Sequence, residues 1–239
     1  MSGHAYMERY RQVWERTLSS GALTEAEIAK SRYYFEADLS TPRPKKMNTY
    51  GIVALMPPPA AAQDVLQKAW EDLFGLLGQP CAYAVEPPNR HVELMLFARP
   101  EEASNDTTTQ ASIEASFAAL ERNTPHHFQA TFNYPFITPD GTVVVPGFPG
   151  PASSVDDFRT LIRDTVGGTT PKKQSNWFHI SLGRILEPLS PLGLRAAFKQ
   201  IEEKWGERLF TCEVNQVIWT HEKQWYMVDK DILHRLDLQ

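Results

Sequence analysis

The chain has 239 residues, of which 42% are hydrophobic and 22% are charged, and this composition is typical of a folded globular protein. Its net charge of −5 argues against general binding of a long polyanion such as duplex nucleic acid, because that binding needs an excess of Lys and Arg. A small or terminal phosphate substrate is compatible with this charge.

Neither the cysteines nor the hydropathy pattern indicates export or a membrane. Cys81 and Cys212 are too few for a disulfide framework, and no Cys or His spacing is typical of a zinc site. Residues 1–16 are charged throughout, unlike a signal peptide, and no run approaches the roughly 20 apolar residues of a membrane span. We therefore expect a cytoplasmic protein with reduced thiols, no metal or other cofactor, and no membrane partner.

The start of the chain predicts two helices and a linker. Apolar residues recur at helical spacing over residues 6–18, and Thr24 begins the capping-box pattern Thr-x-x-Glu before a cluster of aromatic residues. The stretch 40–46 is rich in Pro and Lys and cannot be helical. Because so short a segment scarcely buries a core of its own, we expect residues 1–46 to form a helical appendage and linker packed on a domain spanning residues 47–239.

From Thr49 onward, strands and helices alternate. Strands are predicted at residues 50–56, 89–97, 128–136, 142–145, 176–185, 209–220 and 224–228, and helices at 63–77, 111–122, 154–166 and 191–205. The order strand, helix, strand occurs in each half of this region, with a histidine in the second strand each time. This coarse duplication predicts an α+β domain of two similar lobes with a groove between them.

The most informative motif lies in the strand predicted over residues 176–185. Side chains at i and i+2 of a strand point the same way, so His179 and Ser181 share one face while Phe178, Ile180 and Leu182 point to the other. An imidazole beside a hydroxyl can transfer a proton and hold an anionic oxygen. This pair is therefore interpreted as half of a phosphate-handling site.

An imperfect second copy of this motif lies earlier in the chain. His91 and Glu93 share one face of an apolar strand, and Val92 and Leu94 occupy the opposite face. Among the other histidines, only His127, at the edge of a predicted strand, has a position from which it could replace His91. Two strands with a histidine and a polar residue at i+2 favour a shared site.

Together these features resemble the 2H phosphoesterase superfamily, which includes bacterial RNA-ligase-like proteins and cyclic nucleotide phosphodiesterases. The resemblance covers roughly residues 49–236 and depends on the element order and on the run Phe178-His179-Ile180-Ser181-Leu182 followed by Arg184, which looks like the family's second motif. It implies two histidines facing one another across the groove, which act without metal, and two hydroxyls that hold the phosphate. Substrates of the family are commonly 2′,3′-cyclic phosphates or short phosphodiesters.

Carried over by position, the resemblance makes His91 and His179 the two catalytic histidines and Ser181 the second hydroxyl. Glu93 departs from the family pattern, because it stands where a Thr or Ser is expected. A carboxylate there repels a phosphate at a cost of about 1 to 4 kcal/mol at about 4 Å, for dielectrics between water and a protein surface. We therefore include Glu93 among the catalytic residues and expect it to narrow or redirect the choice of substrate.

Residues around the two motifs are predicted to bind the rest of the substrate. Arg184 and Lys173 add positive charge beside the second motif. Tyr50, Trp177 and Trp225 are aromatic residues that can stack on a nucleotide base.

The leading hypothesis is a monomeric, metal-independent phosphodiesterase or cyclic phosphodiesterase that acts on a nucleotide or an RNA end. Glu93 and the acidic net charge leave two alternatives open. The first is a catalytically silent 2H-like fold that binds a nucleotide, another small ligand or a protein. The second is an enzyme in which His91 and Glu93 perform acid–base chemistry on a substrate without a phosphate.

Overall fold

The computed structural model describes residues 3–19, 23–97, 106–151, 154–166, 177–206 and 208–239. The helices in this part of the chain are α1 (Gly3–Ser19), α2 (Glu25–Arg32), α3 (Ala60–Leu76), α4 (Asp106–Arg122), α5 (Ser154–Val166) and α6 (Pro191–Trp205). The strands are β1 (Lys46–Ala54), β2 (Ala82–Ala84), β3 (Val92–Leu96), β4 (Phe128–Phe132), β5 (Phe136–Ile137), β6 (Thr142–Gly150), β7 (His179–Ile185), β8 (Phe210–Val214), β9 (Gln216–Gln224) and β10 (Asp229–Asp237). Short 3-10 turns, Pro87–Asn89 and Trp225–Met227, precede β3 and β10.

Two four-stranded antiparallel halves join into one sheet. In spatial order, β10-β9-β1-β3 form the first half and β7-β6-β4-β8 form the second, while β2 pairs with β7 and β5 pairs with β6. The halves meet where β3 contacts β7, through the pairing of Val92 with Ile180. The predicted α+β fold class, with two lobes of duplicated topology, is confirmed.

The main core lies between the sheet and the helices. Val92 of β3 and Ile180 and Leu182 of β7 are fully buried in it, as the alternation of the two motif strands predicts. Trp70 of α3 packs so closely on β7 that a Cβ added at Gly183 would lie 2.6 Å from its ring. The main-chain oxygen of Tyr83 on β2 would lie closer still to that Cβ. The pairing of β2 with β7 and the packing of α3 therefore both require a glycine at this position of the second motif strand.

Helix α1 packs against the second half of the sheet beside the second motif. The ring of Tyr10 contacts Trp177 edge to face at a centroid distance of 5.2 Å, and its hydroxyl donates a hydrogen bond to the main-chain oxygen of Phe178. Trp14 packs on Phe198 of α6 at 3.9 Å between ring centroids. Aromatic residues of the first segment thus cover apolar surface of the rest of the chain.

Helix α2 is held against the C-terminal end of β7. Thr24 caps the helix by accepting from the main-chain N–H of Glu27 at 3.4 Å, as the capping-box pattern predicts. Arg32 donates to the main-chain oxygen of Leu186 at 2.7 Å, and Ser31 donates to the main-chain oxygen of Asp140. The division of the chain at residue 46 into an appendage and a domain stays a prediction.

Several predicted strands differ from the structure. The strand predicted over residues 128–136 ends at Phe132, and β5 begins after Pro135, which has no N–H for a ladder hydrogen bond. The strand predicted over 209–220 is divided into β8 and β9. The segment predicted as strand 224–228 contains a 3-10 turn in which Tyr226 and Met227 have positive φ angles of 62° and 57°, a conformation that a strand excludes.

Two strands have no counterpart among the predicted ones. Strand β10 is the edge of the first half, and its residues are mostly charged and exposed, so it lacks the apolar alternation that identifies a strand. Strand β2 has only 3 residues, too few for a recognisable period.

Candidate functional site

Four predicted site residues share one face of the joined strands β3 and β7. The strands meet in antiparallel register through one pair of buried residues, so the residue before this pair on one strand lies opposite the residue after it on the other. His91 therefore lies beside Ser181, and Glu93 lies beside His179. All four side chains are partly buried. The sequence placed each pair on one face, and the register brings the two pairs together.

Glu93, His179 and Ser181 of this face line a cavity of about 570 Å³, which we call the site cavity. Six of the predicted site residues line it: Glu93, Trp177, His179, Ser181, Arg184 and Trp225. His91 is not a lining residue, but its neighbour across the strand pair, Ser181, is. One wall comes from the N-terminal helices, through Val13 and Arg16 of α1 and Glu27 and Lys30 of α2.

The ring of His91 is oriented by the main chain of the preceding turn. Its Nδ1 lies 2.8 Å from the main-chain oxygen of Asn89, and because a carbonyl only accepts, Nδ1 carries the proton and Nε2 is the acceptor in the neutral ring. Burial lowers the pKa of His91, the contact with Asn89 opposes this change, and the ammonium of Lys230 adds to it. His91 is thus held as a neutral base.

The ring of His179 has a different environment. Its Nδ1 is buried and has no hydrogen-bond partner among the described residues. The pKa of His179 is lowered to about 4, mainly by burial; charges on His91 and Arg159 contribute to the decrease, and the carboxylate of Asp140 opposes it. A positive charge on His91 therefore disfavours a proton on His179.

Arg184 is a buried lining residue with an acidic partner. Its Nη2 lies 3.2 Å from Oδ2 of Asp140 and donates to Oγ1 of Thr142 at 2.6 Å, and the guanidinium lies 5.4 Å from the ring centre of Tyr34. Burial opposes the charge on Asp140, but Arg184 and the neighbouring hydroxyls hold the pKa of that carboxyl below its ordinary value. Arg184 therefore contributes positive potential to the wall of the site cavity while it anchors the β5–β6 turn.

A second carboxyl group lies near Glu93. Glu222 of β9 is only 7% exposed and accepts a hydrogen bond from the main-chain N–H of Met227 at 2.8 Å. The pKa of Glu222 is raised to about 8, mainly by burial, and the negative charge of Glu93 contributes to the increase. The hydrogen bond from the Met227 N–H and the positive charge of Lys230 oppose the increase. Glu222 is accordingly neutral at pH 7. The carboxyl groups of Glu93 and Glu222 together therefore carry less than two full negative charges.

The two predicted aromatic binders that line the site cavity are both packed against other rings. Trp177 contacts Tyr10, and Trp225 is stacked on Tyr34 with a centroid distance of 4.8 Å and an interplanar angle of 8°. Each tryptophan therefore has an aromatic neighbour on one side and can offer only its remaining surface to a ligand.

The structure does not place three other sequence candidates at the site cavity. The structure does not place Tyr50 among the lining residues; its ring stacks on His221 of β9 at 4.3 Å. His127, considered as a replacement for His91, lies at the start of β4, where its Nε2 is 3.3 Å from Glu213 on β8. Lys173 lies outside the described residues.

Sequence reasoning missed residues that surround the histidines. Arg159 of α5 is 2% exposed and donates to the main-chain oxygens of Leu94 at 2.7 Å and Trp177 at 2.8 Å, so it ties the two motif strands together. Glu222 lies in the part of β9 that extends beyond the predicted strand 209–220, and Lys230 lies in β10, which was not predicted. In the sequence, Arg159 is a single arginine in an amphipathic helix, and no local pattern distinguishes it from an arginine on the protein surface.

The part of the chain that the structure describes contains neither a metal-binding cluster nor a membrane-spanning helix. No group of three or more His, Cys, Asp or Glu side chains is arranged to hold a metal ion there. None of the described helices has the length and apolar character needed to cross a bilayer.

Comparison with solved structures identifies the fold. LigT of Escherichia coli in its apo form matches with a TM-score of 0.54 and 13% sequence identity over 82% of this chain and 99% of that chain. TT0787 of Thermus thermophilus matches with a TM-score of 0.53 and 12% identity over 80% of this chain and 97% of that chain. A structure described as a phosphoesterase matches with a TM-score of 0.53 and 13% identity, over 81% and 99% respectively.

The chain therefore has the fold of the 2H phosphoesterases, which the resemblance of its sequence implies. LigT has also been crystallised in complexes with 3′-AMP, phosphate, NADP+ and ATP. No protein-family model and no curated protein sequence matches the chain.

Proposed function

We propose that this protein is a metal-independent phosphodiesterase that hydrolyses a 2′,3′-cyclic nucleotide or a phosphodiester at an RNA end, with His91 and His179 as its catalytic residues. The observation that supports the proposal is the meeting of the two motif strands, which sets His91 beside Ser181 on one face, while His179 and Ser181 line the site cavity. Two imidazoles supply both proton transfers that hydrolysis of a phosphodiester needs.

We base the proposed roles of the two rings on their environments. His91 has Nδ1 bonded to Asn89, which leaves the Nε2 lone pair available, and the nearby Lys230 ammonium disfavours its protonation. Burial is the main cause that lowers the pKa of His179 to about 4, but the carboxylate of Asp140 opposes this change and favours a proton on that ring. When a phosphodiester anion binds between the rings, the proton that it attracts goes to His179, so His91 is the base and His179 the acid.

Hydrolysis then proceeds as a single displacement at phosphorus. His91 Nε2 removes a proton from water as the water oxygen forms a bond to phosphorus. The bond from phosphorus to the leaving oxygen breaks, and protonated His179 delivers its proton to that oxygen. Ser181 donates a hydrogen bond to a non-bridging oxygen, and the positive charge of Arg184 favours the anionic substrate.

The size of the site cavity and the fold support a nucleotide as substrate. A volume of about 570 Å³ is within the range of small-molecule sites. LigT, with the same fold, binds 3′-AMP, ATP and NADP+. Trp177 and Trp225 are proposed to contact the base, and Lys173 and Arg184 to contact phosphate oxygens.

One observation favours a second candidate function. Glu93 lines the site cavity beside His179, where a carboxylate repels a phosphate anion. A catalytically silent fold that binds a nucleotide or another small ligand is therefore the alternative, as is acid–base chemistry by His91 and Glu93 on a substrate without a phosphate.

The test is hydrolysis of the four 2′,3′-cyclic nucleoside monophosphates and of short RNAs with cyclic phosphate ends, in excess EDTA. We expect turnover by the wild type and a loss of about 100-fold or more in kcat for His91→Ala and for His179→Ala. His127→Ala is the matched control, because this histidine lies away from the site cavity. No turnover of any of these substrates by the wild type, with or without added metal ions, would leave only the silent or repurposed fold.

A further inference from the structure

Lys230 lies at the centre of a hydrogen-bond network that takes no direct part in the proton transfers of the proposed reaction. The Nζ atom donates to Oδ1 of Asn89 at 2.8 Å and to the main-chain oxygen of Met227 at 2.8 Å. These acceptors belong to the 3-10 turns that precede β3 and β10. A single ammonium on β10 therefore holds both turns.

The first turn positions a catalytic histidine. Asn89 is 6% exposed, its side chain accepts from Lys230, and its main-chain oxygen contacts Nδ1 of His91 at 2.8 Å. The bond from Lys230 restrains the residue whose carbonyl selects the tautomer of the ring. Groups that orient a functional histidine through its second nitrogen commonly affect function by about 10- to 100-fold, as outer-shell partners of metal-bound histidines show.

The second turn forms part of the wall of the site cavity. Tyr226, which lines the cavity, and Met227 both have positive φ angles, of 62° and 57°, a conformation that is uncommon for residues other than glycine. Such a backbone persists where its surroundings hold it. Lys230 binds the carbonyl of Met227 and Glu222 binds its N–H, so both polar groups of this residue are fixed.

We propose that Lys230 is a positioning residue that fixes His91 in the tautomer with the proton on Nδ1 and holds the Tyr226 wall of the site cavity in place. Lys230 acts through Asn89 and Met227. This inference deepens the proposed function and rests on it where catalysis is concerned, but the tautomer of His91 is a property of the protein alone.

The test compares Lys230→Met with Lys230→Arg and with the control Lys223→Met. Lys223 is a lysine of β9 with an ion pair to Asp231 at 2.7 Å, and among the described residues its side chain has no hydrogen bond or ion pair to either turn. Long-range ¹H–¹⁵N spectra of the uniformly labelled full chain at pH 8 report which ring nitrogen of His91 carries the proton, and the spectrum of His91→Gln assigns the signal. Folding of each variant is checked by its amide spectrum.

We expect the wild type and Lys223→Met to show a single Nδ1–H tautomer, and Lys230→Met to show a mixture that contains the Nε2–H form. Lys230→Arg, which retains a cationic donor, should recover most of the wild-type pattern. With a cyclic nucleotide, kcat of Lys230→Met should fall by about 10- to 100-fold while KM changes by less than about threefold.

An unchanged tautomer in folded Lys230→Met overturns the inference. If Lys230→Met does not fold, Asn89→Ala replaces it, because this change removes the side-chain acceptor and keeps the main-chain carbonyl; an unchanged tautomer in Asn89→Ala overturns the inference in the same way. The failure of the proposed function is distinguishable, since it would appear as a wild type that hydrolyses no phosphodiester while the tautomer of His91 still responds to Lys230.

Discussion

His91 and His179 occupy matched positions at the starts of neighbouring strands, but their surroundings differ. On the His91 side, Asn89, Lys230 and Glu222 form a hydrogen-bond network that fixes the ring and the turn beside it. On the His179 side, Nδ1 is buried without a described partner. The duplicated topology thus gives two similar strands, while the side chains contributed by other elements make one histidine a fixed base and leave the other adaptable.

The largest expected effect concerns the stability of the His91 side. The pKa of Glu222 is raised from 4.5 to about 8, so the folded state binds more protons than the unfolded state between these values. Stability therefore falls as pH rises from about 4.5 to 8, by at most about 5 kcal/mol from this group. In Glu222→Gln this loss is absent, and urea unfolding of both proteins at pH 5 and at pH 8 measures the difference.

Equal pH dependence in Glu222→Gln and the wild type would show that the carboxyl of Glu222 is not buried as the structure has it. Glu213→Gln is the matched control, since Glu213 is exposed on β8 and its carboxyl faces His127.

The His179 side should give a pH dependence of opposite sign. The pKa of His179 is lowered from 6.5 to about 4, so the unfolded state takes up the proton first as the pH falls. Stability is therefore lost as pH falls from about 6.5 to 4, by about 3 kcal/mol from this group. His179→Gln should unfold with a smaller loss between pH 7 and pH 5 in the same urea experiment, whereas His127→Gln should match the wild type.

The smallest of these effects tests the residue that distinguishes the first motif from the second. Glu93→Thr places a hydroxyl two residues after His91, as Ser181 stands two residues after His179. It also removes a negative charge whose repulsion of phosphate costs about 1 to 4 kcal/mol. We expect kcat/KM for 2′,3′-cyclic nucleotides to rise about tenfold or more, and Glu93→Gln to give part of that gain. A decrease in both variants would instead identify the glutamate as catalytic.

The strand alternation of the two motifs could be predicted from the sequence, because the period of two is a local property. This period showed that His179 and Ser181 share one face of their strand and that His91 and Glu93 share one face of theirs. The coarse duplication could also be predicted. The register that puts His91 beside Ser181 could not be predicted, since pairing between β3 and β7 depends on contacts distant in sequence.

The supporting residues were missed for the same reason. Arg159, Asp140 and Lys230 act through hydrogen bonds and charges that reach the site from a helix, a turn and an edge strand. Each belongs to a segment whose local sequence is ordinary, and β10 was not recognised as a strand at all. Tyr50, chosen because it is aromatic and close to a strand, belongs to a part of β1 that faces β9 residues rather than the site cavity.

The most direct test of the central claim is a crystal structure of the protein with 3′-AMP, the ligand already seen with LigT. We expect the phosphate to lie between His91 and His179, with an oxygen within hydrogen-bond distance of the Ser181 hydroxyl and of Nε2 of each ring. A phosphate bound only at the Arg16 and Lys30 wall of the site cavity, with neither imidazole in contact, would contradict the two-histidine mechanism.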